Sequence, residues 1–117
     1  MPKHPATKDR RTPCPVALCL DIVGDKWTLL VIRDLMAGKT RFKALLESPE
    51  HIATNTLSER LTRLQRYGII EVIEAADGTR HPAYQLTPKG HNLRPILAAM
   101  RDWGLNWEPD AEARIAL

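Results

Sequence analysis

The stretch TNTLSERLTRLQRYG, residues 54–68, decides the fold of this chain. Its leucines, Leu57, Leu61 and Leu64, recur at spacings of four and three, so in an α-helix they lie on one face and can pack against the rest of the protein. Gly68 follows, and glycine is the residue type that most readily ends a helix. The sequence therefore predicts an amphipathic helix that ends just before this glycine.

A β-hairpin is predicted directly after this helix. The apolar rhythm changes from 3.6 residues to about two over residues 69–75, which are rich in Ile and Val. A second strand is predicted over residues 83–86. The Asp77-Gly78 pair between the two strands is a strong signal for a hairpin turn.

The last long helix is predicted over residues 88–107. Thr87 suits the N-cap position, and Pro88 suits the first helical position, where a missing N–H costs nothing. Pro95 removes a hydrogen-bond donor inside this helix. We therefore expect it to kink the helix or to delay its start.

Three shorter helices are predicted before the leucine stripe. They cover residues 16–23, 26–37 and 41–47, and a glycine follows each of the first two. Asp25 and Thr40 are of the residue types that cap the second and third. The order of four helices, a hairpin and a last helix predicts a mainly α winged helix-turn-helix domain.

Composition narrows the class of protein. The chain has 117 residues, of which 44% are hydrophobic and 26% charged, as is ordinary for one globular domain. Its apolar runs are far shorter than the roughly 20 residues that span a bilayer, and no signal peptide is visible, so we expect a cytoplasmic protein. The cysteines, histidines and glycines form no zinc, redox or phosphate-loop pattern. We therefore expect no metal, no cofactor and no enzymatic activity.

Charge is distributed unevenly along the chain. Residues 1–13 and 39–66 are net basic, whereas residues 102–117 are net acidic. This asymmetry indicates that a polyanionic partner binds one side of the molecule. We expect a flexible basic arm over residues 1–13 and an acidic tail over residues 109–117. Between them, residues 14–108 are expected to form the winged helix-turn-helix domain, including terminal dimerisation helices.

The polar side of the helix over residues 54–67 is the predicted DNA-reading surface. A helix enters the major groove when one stripe holds it to its own domain and the opposite stripe carries hydrogen-bonding side chains. The candidates are Asn55, Glu59, Thr62 and Arg66 opposite the leucines, and Thr56, Ser58 and Arg63 on the flanks. Asn suits adenine, Arg suits guanine or phosphate, and Glu can accept from cytosine or hold an arginine. The alternative is an ordinary solvated face of an amphipathic helix.

Further DNA contacts are expected on either side of this helix. The candidates at the hairpin tip are Thr79, Arg80 and His81, and those for phosphate contacts are Lys39, Arg41, Lys43 and Arg60. Arg80 is expected to enter a narrow minor groove, although a lone arginine in a hairpin loop also serves solubility. Arg60 lies close to the leucine stripe, so a backbone contact or an internal ion pair suits it better than base reading.

These residues resemble the HxlR family of bacterial transcriptional regulators, relatives of the MarR-type winged-helix proteins. The matching stretches are Cys14-Pro15-Val16, Gly24-Asp25-Lys26-Trp27-Thr28-Leu29-Leu30, Arg41-Phe42 with Leu45, Leu57-Ser58-Glu59-Arg60-Leu61 with Leu64 and Gly68, Tyr84-Gln85-Leu86-Thr87-Pro88-Lys89-Gly90, and Trp103-Gly104. The resemblance implies a homodimeric DNA-binding repressor or activator, without catalytic activity, on a pseudo-palindromic site. Ala53 departs from the family pattern, which often has a capping Ser here, and Thr54 is expected to take over that role.

The last helix supports a dimer independently of this resemblance. It carries more apolar surface than one short hairpin can cover, and the first helix is expected to share the interface. The candidates for the dimer interface are Leu18, Leu20, Leu93, Leu97, Met100, Trp103 and Trp107. The alternative is that the last helix folds back on its own domain.

Cys14 is a candidate sensor of oxidants or electrophiles. The resemblance includes a cysteine at this position, and in some members it has such a role. Its position just before a helix N-terminus, near Arg10 and Arg11, is the physical reason for this expectation. The alternative is a small buried hydrophobic residue, which is the expectation for Cys19.

Other functions stay open at this point. A winged-helix domain can bind a protein instead of DNA, in which case the polar helix face would contact an acidic or apolar partner. An enzyme that uses Cys14 would need a base and an oxyanion donor, and the sequence offers neither. A small-molecule effector at the dimer interface is compatible with the sequence, but no motif indicates one.

Overall fold

The computed structural model describes residues 12–74 and 81–112, which are mainly helical with one two-stranded antiparallel sheet. The helices are α1 (Pro15–Val23), α2 (Thr28–Met36), α3 (Phe42–Leu46), α4 (Thr54–Arg66), α5 (Pro88–His91) and α6 (Arg94–Trp107), and the strands are β1 (Ile70–Ile73) and β2 (Ala83–Leu86). This order of elements confirms the predicted winged helix-turn-helix fold class.

The loop between α1 and α2 is organised by Asp25. Its Oδ1 accepts hydrogen bonds from the backbone N–H groups of Trp27 at 2.8 Å and Thr28 at 3.0 Å, and its Oδ2 accepts from the Thr28 hydroxyl. The Asp25 carboxylate thus accepts free amide hydrogens before α2 as predicted, although the N-cap position itself is occupied by Trp27. The regular helix begins at Thr28, two residues later than predicted, because the two residues before it form a turn.

Two other predicted helix caps are wrong. The residues that precede α3 and α4 are Arg41 and Ala53, and neither helix receives a side-chain cap. Thr40 lies one residue too early and Thr54 is already helical, so neither hydroxyl occupies the capping position. Instead, the backbone carbonyl of Thr40 accepts a hydrogen bond from the Tyr84 N–H at 2.8 Å, which joins the segment before α3 to β2.

The predicted last helix is divided into α5 and α6. The Thr87 side chain accepts a hydrogen bond from the Gly90 N–H at 3.2 Å, which confirms Thr87 as the N-cap of α5. The helix is interrupted over residues 92–93 and resumes as α6, with Pro95 in its first turn. A proline N–H is not needed there, so the expected effect of Pro95 on the helix is confirmed.

The two strands form the wing of the domain. Ile70 lies opposite Leu86, and Ile73 lies opposite Ala83. Because Ile70, Ala83 and Leu86 are buried, one side of the wing packs on the core. Of the predicted hairpin tip, only His81 is among the described residues.

The core holds α4 to the rest of the domain. Leu57, Leu61 and Leu64 are each at most 2% exposed, which confirms the predicted stripe. Burial of one such side chain stabilises a fold by about 1.5–3 kcal/mol, so three of them fix this helix firmly. The other buried apolar residues are Val23, Val31, Ile32, Leu35, Leu45, Ile52, Ile69, Ile70, Ala83, Leu86 and Leu97.

Candidate nucleic-acid interface

The polar side of α4 is open to solvent. Its exposed residues are Thr54, Asn55, Ser58, Glu59, Thr62, Gln65 and Arg66. The side chains of Asn55 and Arg66 are exposed and make no hydrogen bond or ion pair with the described residues, so they are available to a ligand. Gln65 is not among the predicted residues, because its helical position lies beside the leucines. The only sequence signal for it is its carboxamide, a group that can hydrogen-bond to base edges.

Two arginines of α4 turn back toward the domain. Arg60 Nε donates to Oδ1 of Asp25 at 3.0 Å, and Arg60 Nη1 pairs with the Glu59 carboxylate. The internal ion pair expected for Arg60 is therefore present. Arg63 Nη1 donates to Oδ2 of Asp25 at 3.3 Å, and Arg63 Nη2 donates to the backbone carbonyl of Asp21 at 2.7 Å.

The position of Arg63 corrects the expectation that it faces DNA. Helical projection predicts it on a flank of the reading surface, whereas its guanidinium contacts the end of α1 and the loop that follows. Thr56 lies on the same flank and is also half-buried. The reason is that acceptors on Asp21 and Asp25 lie across from this flank, and they are distant from α4 in the sequence.

The Asp25 carboxylate is the centre of this network. Its burial would raise its pKa, but the hydrogen bonds that it accepts from the Thr28 side chain, the Trp27 N–H and Arg60 outweigh burial. Together they hold the pKa of Asp25 well below its usual range. Asp25 therefore stays ionised and keeps both arginines in place.

A second ion-pair network fixes the turn that leads into α4. Arg33 of α2 donates two hydrogen bonds to the Glu50 carboxylate, at 2.7 and 2.9 Å, and a third from Nε to Asp34 at 3.0 Å. The Ser48 hydroxyl donates to Glu50 at 2.7 Å. His51 has a positive φ of 61°, an uncommon conformation for a residue other than glycine. The bidentate Arg33–Glu50 pair thus holds a sharply turned backbone between α3 and α4.

Replacing Glu50 with glutamine is expected to reduce the sensitivity of the fold to acid. The hydrogen bonds from Arg33 lower the pKa of Glu50 to about 2, against the opposing effect of burial. Since the folded-state pKa lies below the unfolded value of 4.5, the stabilisation is complete above pH 4.5 and is lost as pH falls toward 2. Solvent screens this carboxylate, which is about a third exposed, so the loss at neutral pH is about 1 kcal/mol or less.

The measurement for Glu50→Gln is the free energy of unfolding in urea at a series of pH values. The variant should show a shallower decline below pH 4.5 than the wild type. Glu47→Gln is the matched control, because it removes one exposed carboxylate at the end of α3 without touching Arg33. An identical acid profile for the Glu50 variant and the wild type would contradict the interpretation of this network.

Basic residues gather where α3 begins and β2 approaches. Arg41, Lys43 and His81 line one cavity of about 510 Å³, whose other walls are Phe42 and Pro82. The structure therefore brings three of the predicted DNA-contact residues together. Lys39 is half-buried in the link between α2 and α3. Thr79 and Arg80, predicted for the wing tip, lie outside the described residues.

The terminal helices divide the predicted dimer residues into two sets. Leu97 is only 5% exposed and belongs to the core of its own domain, and Leu93 packs against that core, so these two residues do not face outward as expected. The reason is that α6 buries one side on its own domain. Trp103 and Trp107 are 61% and 66% exposed, and Met100 is also exposed.

Exposed apolar residues form one row on α6 and a shorter one on α1. On α6, Ile96, Met100, Trp103 and Trp107 recur at helical spacing along one side. On α1, Leu20 is exposed, whereas Leu18 is half-buried. Val16, four residues before Leu20, is exposed as well and was not among the predicted residues. We call these rows the terminal apolar face, defined by Val16, Leu20, Ile96, Met100, Trp103 and Trp107.

The two cysteines differ in exposure. Cys14 is an exposed free thiol at the N-cap of α1, and its backbone N–H donates to the Thr12 hydroxyl at 2.8 Å. It is not the buried residue of the alternative interpretation. Cys19 is half-buried and packs against the core. Arg10 and Arg11 lie outside the described residues.

Residues 12–74 and 81–112 contain neither a metal-binding cluster nor a membrane-spanning helix. No group of three or more His, Cys, Asp or Glu side chains in this part of the chain could hold a metal ion. None of the helices in these ranges has the length and hydrophobicity that a bilayer crossing requires.

A reading helix held by leucines, a wing and an open polar face define the winged helix-turn-helix class of DNA-binding proteins. Comparison with known proteins then gives the family. The family model described as HxlR-like helix-turn-helix matches residues 22–112, so this chain belongs to the HxlR-like helix-turn-helix family. The resemblance that the sequence motifs indicate is therefore confirmed.

Individual relatives agree with this assignment. The uncharacterized HTH-type transcriptional regulator sll1512 of Synechocystis is 34% identical over 94 residues, which are 80% of this chain and 70% of that protein. The HTH-type transcriptional regulator YodB of Bacillus subtilis is 32% identical over 93 residues, 79% of this chain and 83% of that protein. Both relatives are HTH-type transcriptional regulators.

Solved structures share the fold. PA1607, described as a candidate transcription factor, has a TM-score of 0.81 with 38% identity, over 94% of this chain and 77% of that one. The reduced form of YodB has a TM-score of 0.69 with 28% identity, over 86% of this chain and all of that one. The redox regulator HypR in its oxidized form has a TM-score of 0.65 with 32% identity, over 80% and 96% of the two chains.

Proposed function

We propose that this protein is a cytoplasmic, homodimeric transcriptional regulator that binds a specific sequence of double-stranded DNA. The single observation that carries the proposal is the division of α4 into a buried leucine stripe and an open polar side. This division allows the helix to enter a major groove without leaving its own domain. Asn55 and Arg66 are the best candidates for base contacts, because both are exposed and hydrogen-bond well to base edges.

A second copy of the chain is the proposed partner of the terminal apolar face. Soluble monomers rarely expose several large apolar side chains in one contiguous row, and α6 exposes two tryptophans, Trp103 and Trp107, in such a row. A two-fold dimer uses the same surface on both protomers, so one apolar face suffices to build it. The two α4 helices would then face successive major grooves, about 34 Å apart, on a pseudo-palindromic site.

The proposed phosphate contacts come from Lys39, Arg41 and Lys43, with His81 beside them. Three of these four residues line one cavity between the start of α3 and the residues just before β2. Cations there would place the protein on the DNA backbone without reading bases. Arg80 is proposed to enter the minor groove beside them. The basic arm over residues 1–13 and the acidic tail over residues 109–117 remain predictions.

The experiment that tests this function is selection of bound sequences from a random duplex library with the full chain. We expect a two-fold repeat with about one helical turn between the centres of its half-sites. Binding should weaken steeply with salt, with a log–log slope of about −0.9 for each phosphate contact. Enrichment of no sequence, together with weak and salt-insensitive duplex binding, would contradict the proposal and favour a protein-binding module.

Replacing Arg66 with alanine is expected to weaken operator binding by about 1–3 kcal/mol and to relax base preference at one position of each half-site. The reason is that Arg66 is exposed on the open side of α4. Fluorescence anisotropy with the selected duplex measures the affinity. Arg94→Ala is the matched control, since it removes an exposed arginine from α6 instead. A separate variant, Arg80→Ala, should weaken binding with little change in base preference. Equal affinities for the Arg66 and Arg94 variants would remove Arg66 from the reading surface.

Oxidant sensing through Cys14 is the proposed mode of regulation. Cys14 is exposed and directly precedes α1, which carries part of the terminal apolar face, so modification of its thiol would disturb the proposed interface. HypR, which is similar to this chain, is a redox regulator. We expect diamide with added glutathione to release the wild-type protein and Cys19→Ser from DNA but to leave Cys14→Ser bound, as measured by anisotropy. Diamide takes two electrons and two protons from the Cys14 and glutathione thiols as they form a mixed disulfide. Normal release of the Cys14 variant would refute this mode of regulation.

A further inference from the structure

Arg63 joins three elements of the domain through one side chain. It belongs to α4, its Nη1 donates to the Asp25 carboxylate in the loop after α1, and its Nη2 donates to the Asp21 carbonyl within α1. Asp25 is held in turn by Arg60 of the same helix, at 3.0 Å. The contacts bridge 38 and 42 residues of sequence, so they set how α4 lies against α1.

The chemistry of the contact suits a rigid link. The carbonyls of the last turn of a helix have no amide partner within that helix, and the C-terminal end carries partial negative charge. The last turn of α1 contains no basic residue of its own. The Arg63 guanidinium therefore satisfies the end of α1 from outside, and its planar fork holds the Asp21 oxygen and the Asp25 carboxylate in one geometry.

The two helices that this link joins have different tasks in the proposed function. Val16 and Leu20 of α1 are exposed as part of the terminal apolar face, whereas α4 exposes the reading side. In a dimer built through that face, the partner fixes the position of α1. The orientation of α4 against α1 then decides the separation of the two reading helices.

We propose that Arg63 is a positioning residue that sets the half-site spacing that the dimer accepts, and that it does not read a base. This inference rests on the proposed function. A base-reading residue would change the preference at one position of the site, and a phosphate contact would change the salt dependence of binding. A positioning residue changes neither, but it changes the tolerance for a different distance between half-sites.

The experiment uses the full-length Arg63→Lys variant, which keeps the charge but lacks the fork. Affinities are measured for the selected operator and for the same duplex with one base pair inserted between the half-sites. The spacing ratio is the affinity for the selected operator divided by the affinity for the duplex with the inserted base pair. We expect this ratio to fall by about fivefold or more relative to the wild type. Base preference and the salt slope should be unchanged. Arg66→Lys is the matched control, because it makes the same exchange on the open side of α4 and should alter base preference without altering the spacing ratio.

Asp25→Asn provides a second variant if Arg63→Lys does not fold. An asparagine can still cap α2 through its amide oxygen, but it lacks the charge that attracts Arg60 and Arg63. It should relax the spacing preference in the same direction.

The outcomes separate the inference from the proposed function. The inference would be overturned, with the proposed function left standing, by an unchanged spacing ratio in the Arg63→Lys variant. An altered base preference at one position of the site would overturn it in the same way. If the wild type selects no two-fold site, the proposed function is wrong and the inference falls with it.

Discussion

Replacing Trp103 with glutamate is expected to convert the dimer into a monomer and to abolish tight operator binding. Trp103 is 61% exposed at the middle of the row on α6, between Met100 and Trp107. Truncating a buried interface tryptophan typically costs about 2 kcal/mol or more, and a two-fold interface loses this contribution twice. The dimer should therefore weaken by about a thousandfold or more, before the cost of burying two carboxylates is added.

Operator binding depends on the dimer because each protomer contacts one half-site. A monomer loses the second contact and its high effective concentration, so affinity should fall by about a hundredfold or more. Light scattering after gel filtration measures the mass, and anisotropy measures the affinity. Leu105→Glu is the matched control: Leu105 is also exposed on α6 but projects from roughly the opposite side of the helix. A wild-type monomer at micromolar concentration, or a Trp103→Glu dimer, would refute the terminal apolar face as the dimer interface.

Replacing Gly90 with alanine is expected to destabilise the domain by about 3 kcal/mol or more. A Cβ at Gly90 would overlap the backbone carbonyl oxygen of Ile69 and would lie 2.9 Å from Cδ2 of Leu86. A side-chain atom could move aside, but the Ile69 oxygen belongs to the chain just before β1 and accepts a hydrogen bond from the Thr87 N–H at 3.0 Å. The clash therefore has to be relieved by separating α5 from the wing.

The free energy of unfolding in urea measures this effect. Gly104→Ala is the matched control, since Gly104 lies within α6 and a Cβ there would meet nothing within 4 Å. Alanine favours a helix over glycine by about 0.5–1 kcal/mol, so this control should be slightly stabilising. Equal stabilities for the two alanine variants would show that α5 does not pack as closely on the wing as described.

Much of the reading helix could be predicted, and the elements around it in part. The spacing of Leu57, Leu61 and Leu64 places α4 and its buried side, because residues three and four apart share a helix face wherever that helix packs. The Asp25 and Thr87 caps were also predictable, since a capping side chain bonds to backbone within three residues. The caps expected from Thr40 and Thr54 fail because a shift of a single residue in the start of a helix removes the geometry.

The candidate site was predicted less completely. Exposure of Asn55 and Arg66 follows from helical projection alone. Projection failed for Arg63, because it describes one helix without the neighbours that attract its charged groups. It also overlooked Gln65, which lies beside the leucines and is nevertheless exposed, and the exposed Val16 of α1.

The sequence by itself determined the order of the elements, the leucine stripe and the polar side of α4, because these follow from periodicity and capping among residues close in the chain. Only the tertiary structure decided that Arg63 faces Asp21 and Asp25 and that Leu97 is buried while Trp103 is exposed. These outcomes depend on which side of each helix packs against elements distant in sequence. Spacing along one helix cannot specify that choice, because the choice is made by the shape and charge of the surfaces that meet.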